Sequence, residues 1–307
     1  MITTLKGTTS TGIQNAITAA RQELGAASGM VFTLLVVASP REYDEVFDAC
    51  LEAGREHPSR IILASTGTAK ADRLDAELHI GESVAGEIIA LKFHGELADH
   101  KASTLLPLLL PDSPVIAWWP GEAPEPVATD PVGALASRRV TDAMGNADPL
   151  KALVARARNL APGDTDLTWT RLTPWRALLA SALDQHPGTV LSASVHAAED
   201  NAAGLLLAGW LRSRLHVDVE FAANTGPGIT EVTLTMADGD IRLTRSDGKM
   251  ATFSGPRTPP RSVALRRREV SALITEELRR LGTDAVFCAA MAELADMMDH
   301  SAASTGA

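Results

Sequence analysis

The sequence predicts an α/β protein of two α/β domains, residues 1–160 and 161–307, the first with a mostly parallel sheet, the second mixed with antiparallel hairpin strands and C-terminal helices. Three observations support this. The 307 residues exceed the ~100–200 of an ordinary single domain. Short runs rich in Val, Ile and Leu alternate with segments whose apolar residues recur at helical spacing, as strands joined by helices do. Beyond residue 230 the strand signals crowd together, and Asp247-Gly248 marks a hairpin turn between neighbours.

Taken in order, residues 8–25 place Ile13, Ile17, Ala20 and Leu24 on one helical face. The run Val31 to Ala38, stopped by Pro40, reads as a buried strand. Glu42 to Arg55, striped by Val46, Phe47, Cys50 and Leu51, reads as a helix, and Ile61 to Ala64 as a second strand, completing a β-α-β unit. Strands are expected at Ala76 to Ile80 and Glu87 to Phe93, a helix from His94 toward Leu106, and a last strand of this domain at Val115 to Trp119. Prolines 120, 124, 126 and 131 then stiffen an excursion, read as a loop lip or an interdomain strap. Thr173-Pro174 combines an N-cap with a first-turn proline, and His186-Pro187-Gly188 ends that helix. A strand Thr189 to His196, a helix Asn201 to Leu215 and a strand Val217 to Ala222 follow. Strands at Glu231 to Met236, Ile241 to Arg245 and Lys249 to Phe253 come next, then helices over Glu269 to Leu281 and Asp284 to Met298 and a frayed tail over 301–307.

Composition narrows the function. Lys+Arg 28 against Asp+Glu 38 gives a formal net charge of −10, the wrong balance for coating nucleic acid or an anionic membrane. The apolar stretch Leu105 to Trp119 is cut by Pro107, Pro111 and Pro114, so no membrane span is expected, and the start lacks a signal-peptide pattern. Cys50 and Cys288 match no zinc or redox spacing, so a cytoplasmic protein is expected, without a disulfide framework or a metal site. The eight histidines are scattered singly. No phosphate-binding glycine loop, nucleophile elbow or metalloprotease motif is present, so no catalytic residue and no cofactor are assigned.

Three clusters remain as site candidates. Arg55 to Arg60 sits at a strand's amino end, where it reads as a solvated helix terminus or as a phosphate or partner contact. Arg257, Arg261, Arg266, Arg267 and Arg268 form the one concentrated positive patch. It reads either as a protected edge strand or as a set of guanidiniums aimed at phosphate or at carboxylates of another protein. The densest stretch, Pro162 to Arg176, holds two Trp, two Arg and two Asp. Asp164 and Asp166 suit turn formation or acid/base work, but no nucleophile accompanies them. Trp118, Trp119, Trp169, Arg171, Trp175 and Arg176 are the candidate exposed anchors, for a partner or between this chain's own domains, because Trp and Arg dominate binding hot spots.

At these residues the sequence closely resembles the bacterial OpcA family, the glucose-6-phosphate dehydrogenase assembly proteins. The resemblance rests on Pro162 to Arg176, His94 to His100, Leu105 to Val115 leading into Ala117 to Pro124, Arg55 to Arg60 and Asp130 to Arg139. It implies a non-catalytic partner that binds glucose-6-phosphate dehydrogenase, supports its oligomeric assembly and raises its activity in the oxidative pentose phosphate pathway. The dehydrogenase would bind NADP and transfer the hydride. Thiol-based redox control, linked to some relatives, is not carried over to a chain with two separated cysteines. The other reading, a sugar-phosphate-binding protein or enzyme, would use the Arg257 to Arg268 patch or Arg171 and Arg176 for phosphate, with Asp164 or Asp166 acting on the sugar.

Overall fold

The computed structural model describes residues 1–24, 29–81 and 86–305, with side chains to residue 300. In chain order the elements are β1 (Ile2–Leu5), α1 (Ser10–Leu24), β2 (Thr33–Ala38), α2 (Tyr43–Glu56), β3 (Ser59–Thr66), β4 (Arg73–Ile80), β5 (Gly86–His94), α3 (Lys101–Leu105), β6 (Val115–Trp119), β7 (Arg138–Thr141), α4 (Pro149–Arg158), β8 (Asp164–Asp166), α5 (Leu167–Arg171) and α6 (Thr173–Gln185). They continue with β9 (Val190–Ala198), α7 (Ala202–Leu215), β10 (Val219–Asn224), β11 (Ile229–Met236), β12 (Ile241–Thr244), β13 (Met250–Gly255), β14 (Thr258–Ala264), α8 (Val270–Glu277) and α9 (Ala285–Thr305). Two compact units divide them. The first holds Met1–Asp142, Ala161–Thr165 and Glu269–Thr283; the second holds Ala143–Leu160, Asp166–Arg268 and Asp284–Ala307.

The first unit is built on a sheet ordered β1-β4-β5-β3-β2-β6-β7-β8. Strands β5, β3, β2, β6 and β7 run parallel, and β4 and β1 add antiparallel pairs. The apolar runs at β2 and β3 are continuous because both faces of these central strands are covered, and Leu34, Leu35, Val36, Ile61, Ile62 and Leu63 are all buried. On one face α1 contributes Ile13, Ile17 and Ala20 to a core with Leu35, Ile62, Ile89, Phe93 and Trp119. Elsewhere in the unit α2 packs on β3, β5 and α8.

Buried charges inside this unit are paired, and Arg60 and Arg138 show how. Arg60 meets Glu87 at 2.8 Å, and Glu87 also receives Arg21 at 2.5 Å, while Arg60 Nη1 donates to the Leu108 carbonyl at 2.7 Å. His57 Nε2 lies 3.1 Å from the Thr275 carbonyl oxygen, so the Arg55 to Arg60 stretch is tied into the packing of α2, β3 and α8. Arg138 pairs with Glu277 of α8 and donates to the Gly282 carbonyl.

The second unit centres on a six-stranded sheet, β10-β9-β11-β12-β13-β14. Strands β9 and β10 are parallel, linked by α7, and the remaining pairs are antiparallel. Nine residues of α7 are buried, from Ala202 to Leu211, because the helix is covered by β9 and β10 and by α9. Gly209 permits that approach: a Cβ there would stand 2.6 Å from the Ala290 carbonyl oxygen of α9.

Several sequence expectations change. Val115 to Trp119 is followed by two further strands of its sheet, β7 and β8, and β1 adds a third strand the hydropathy pattern did not announce. These strands are three or four residues long, too short to show a period. The helix expected from His94 is broken into a 3-10 turn at Gly95–Asp99, the short α3 and a second 3-10 turn that accommodates Pro107. At α6 the proline is in the first turn, but Thr173 is helical and Leu172 precedes it without a side-chain cap. The helix expected over 8–25 spans Ser10–Leu24, and residue 25 lies outside the described residues. The proline-rich excursion is an irregular loop that buries Val127 and Val132. In place of a tail from 301, α9 runs to Thr305; residues 306–307 lie outside the described residues.

Candidate functional site

The four tryptophans singled out in the sequence are core residues, and the expectation that they are exposed anchors is corrected. Trp118 and Trp119 are 0% and 2% exposed on β6, and Trp169 and Trp175 are 2% and 3% exposed. Trp169 shows how so large a ring is hidden. Its indole N–H donates to Asp284 Oδ2 at 2.9 Å, and its ring tilts against Phe287 with centroids 5.7 Å apart. The Arg176 guanidinium lies 3.4 Å from the Trp169 ring centroid. Asp284 in turn accepts the Val286 and Phe287 N–H groups at the start of α9, at 2.9 and 3.1 Å. Residues far apart in sequence are thereby fixed around one indole.

The two aspartates hold backbone. Asp164 pairs with Arg139 and accepts the Ala161 N–H at 2.9 Å. Asp166 caps α5 by accepting the Thr168 N–H at 2.8 Å and also accepts the Ala143 N–H at 3.0 Å. These bonds make them turn and cap formers.

The arginine patch separates into two groups. Arg257 sits at the β13–β14 turn with φ 57°, exposed and 3.3 Å from Asp238. Arg261, on the edge strand β14, donates to Gln185 at 2.8 Å and lies 4.8 Å from the Phe253 ring centroid. Arg266, Arg267 and Arg268 follow β14 and turn into a cavity of about 280 Å³, where they join Arg171 and Arg245. Five guanidiniums thus line one pocket, and no Asp or Glu lines it among the described residues.

The sheet explains why they meet. The carboxyl ends of β9, β12 and β14 and the start of β11 share one edge. There α7 begins, and Asn201 caps it, its Oδ1 accepting the Gly204 N–H at 2.8 Å. The Asn201 amide Nδ2 is left toward the cavity. Arg245 forms the floor, 6% exposed, its two Nη atoms each 3.1 Å from a carbonyl oxygen, of Leu265 and of Ile229. Its guanidinium is 4.9 Å from the Trp175 ring centroid, and its Nε has no acceptor among the described residues. Burial first, and then the charge of Arg267, pull Arg245 below the usual arginine range, with Asp247 opposing. At Gly228, φ 78°, a Cβ would lie 3.2 Å from Arg267 Nη2, 3.4 Å from Asn201 Nδ2 and 3.7 Å from Arg245 Nη2. Three donors from three elements gather round one point that has no side chain.

The first unit treats the corresponding place differently. In an open parallel sheet ligands bind where the strand order reverses, here between the carboxyl ends of β2 and β6. Glu42 stands beside that place, its Oε2 accepting the Ser39 N–H at 3.1 Å and its carboxylate so close to Gly121 that any Cβ there would strike it. A fixed anion at this point opposes a dinucleotide pyrophosphate, which needs N–H donors and a glycine turn. A second cavity of this unit, about 430 Å³, is lined by Lys6, Arg73, Lys92, Asp75 and His94. Its charges are largely matched internally: Asp75 lies 3.0 Å from Arg73, 3.4 Å from His94 and 3.6 Å from Lys6.

Two family models match the chain, both describing a subunit of glucose-6-phosphate dehydrogenase: residues 51–158 match the N-terminal domain of that family, and residues 162–291 match its C-terminal domain. The chain belongs to the OpcA family. A search of curated proteins returned no match to it. Solved structures similar to this OpcA-family chain include the 3-ketoreductase KijD10 from Actinomadura kijaniata, at 9% identity and TM-score 0.47 over 88% of this chain and 96% of that one. A dehydrogenase, MviM, from Clostridium difficile is 6% identical, TM-score 0.45, over 88% and 99%. An oxidoreductase from Sinorhizobium meliloti is 9% identical, TM-score 0.43, over 91% and 90%.

Among the pocket residues of this OpcA-family chain, sequence reasoning had named Arg171, Trp175 and Arg266 to Arg268, and had missed Arg245, Asn201 and Gly228. Asn201 was visible only as a helix start and Arg245 only as a strand end. Among the described residues no group of three or more His, Cys, Asp or Glu is arranged to hold a metal, and no helix is long and apolar enough to cross a membrane.

Proposed function

We propose that this chain is a non-catalytic assembly subunit and allosteric activator that binds glucose-6-phosphate dehydrogenase, supports its oligomerisation and raises its activity in the oxidative pentose phosphate pathway of the cytoplasm. The match of both halves to models described as a subunit of that dehydrogenase carries the reading. Glu42 at the switch point of the parallel sheet supports it, because a dinucleotide would then be held by the partner and not by this chain. With the tryptophans buried, contact falls to exposed side chains. Arg257 and Arg261, at the β13–β14 edge, suit an acidic face of the dehydrogenase.

The test mixes the purified chain with its cognate dehydrogenase and reads turnover, substrate affinity and mass by light scattering. Higher turnover or tighter substrate binding, together with a larger assembly, is expected. No change in any of the three would end the proposal.

A further inference from the structure

The second unit carries a pocket whose chemistry the assembly role does not use. Its floor is a buried guanidinium, its rim is the exposed pair Arg266 and Arg267, and its back is the start of a 14-residue helix, whose amide dipoles add partial positive charge. Arg245, Arg266 and Arg267 lie together with no carboxylate lining the cavity among the described residues, and an anion entering there would relieve their mutual repulsion.

The shape of the donor set selects among anions. A carboxylate is planar and takes an arginine fork in its own plane, whereas a phosphate presents three oxygens in a tetrahedron and accepts from several directions. Here Arg267 Nη2, Asn201 Nδ2 and Arg245 Nη2 approach the empty side of Gly228 from different elements. Arg245 retains an Nε without an acceptor, a buried donor whose desolvation is uncompensated among the described residues. Beside these donors the cavity has an apolar wall of Leu172, Pro174, Trp175, Ile229 and Leu265, which gives a short carbon skeleton a place to lie.

We infer that this pocket is a binding site for a phosphate monoester of a small metabolite, with the phosphate over Gly228 between Arg267, Asn201 and Arg245 and the carbon skeleton against Trp175. The site belongs to this chain alone. Its occupancy is read without the dehydrogenase, so failure here leaves the assembly reading standing, and the reverse holds as well.

The experiment is calorimetry on the full-length chain at constant ionic strength, with a hexose phosphate, a nucleoside monophosphate, inorganic phosphate, a dicarboxylate and a short glutamate peptide as separate probes. Saturable binding of a phosphate ester, tighter than the dicarboxylate by tenfold or more and accompanied by a rise in Tm, is expected. The hexose and nucleoside arms identify which carbon skeleton fits. Arg266→Gln combined with Arg267→Gln should weaken that binding at least tenfold. Asn201→Asp, which keeps the oxygen that caps α7 and replaces the amide donor by a charged acceptor, should abolish it while the melting curve stays cooperative. Arg257→Gln, outside the pocket, should bind as the wild type does. Absence of saturable binding by every phosphate probe, equal binding by the Arg266/Arg267 double variant, or a preference for the glutamate peptide would each overturn the inference.

Discussion

At the carboxyl end of β2 a glutamate folds back over the strand end, whereas at the carboxyl end of β9 an asparagine amide and several arginines surround open space. Both places use the same backbone device, a parallel strand leading into a helix. Residue choice then decides what stands at the strand end. In the first unit it is the Glu42 carboxylate, which accepts the Ser39 N–H, and in the second the described side chains leave a cradle at Gly228.

The contrast can be broken most forcefully in the core of the unit that carries the arginine pocket. Trp169→Ala should cost about 3–5 kcal/mol in a denaturant titration, as for a large core ring. A loss below ~0.5 kcal/mol is the behaviour of a surface residue and would return Trp169 to the exposed anchors. Next in size is the floor. Arg245→Met keeps an apolar chain over Trp175 but strips the donors from the Leu265 and Ile229 carbonyls, so a loss of about 2–4 kcal/mol is expected. An unchanged midpoint would mean that water already serves those carbonyls and that the floor is open.

Glu42→Ala should cost about 1 kcal/mol, the usual worth of one side-chain hydrogen bond to a backbone N–H, while Glu42→Gln, which can still accept from Ser39, should cost less. If both are neutral, the carboxylate does not seal the strand end and the contrast between the units loses its first half.

The smallest effect concerns the thiols. Burial pushes Cys50 up to about 12, so it stays protonated throughout the ordinary pH range. Above the usual thiol range the unfolded chain loses a proton that the folded chain keeps, and Cys50 therefore lowers stability as pH rises toward 12. Alkylation of the native protein at pH 8 should mark the half-buried Cys288 first and reach Cys50 only after denaturation. Early labelling of Cys50 would show that the core under α2 opens locally.

The α/β architecture, the parallel first sheet and the hairpin strands of the second were legible because long apolar runs and turn residues are local signals. Strands β7 and β8 were not, since Arg138 and Asp164 give them polar beginnings and their burial depends on Glu277 and Arg139, partners the local pattern cannot see. Half of the candidate pocket was legible as well. Consecutive arginines at 266 to 268 stand out in an acidic chain, but Arg245 and Gly228 become site residues only through the antiparallel pairing that brings β11, β12 and β14 to one edge. The tryptophans misled for a related reason: abundance beside arginine resembles a contact surface, and only the Asp284 acceptor 115 residues away reveals a core.

The ion pair between Arg138 and Glu277 has a consequence for the order of events on the ribosome. The two residues are 139 positions apart and belong to the same unit, with most of the second unit's chain lying between them. When β7 has been synthesised its guanidinium has no carboxylate waiting, and β8 and α8 are still to come. The first unit therefore cannot close as an early, self-sufficient product of translation, as N-terminal domains commonly do. It stays unfinished until the growing chain has supplied nearly all of its neighbour, so that the two halves mature together near the end of translation.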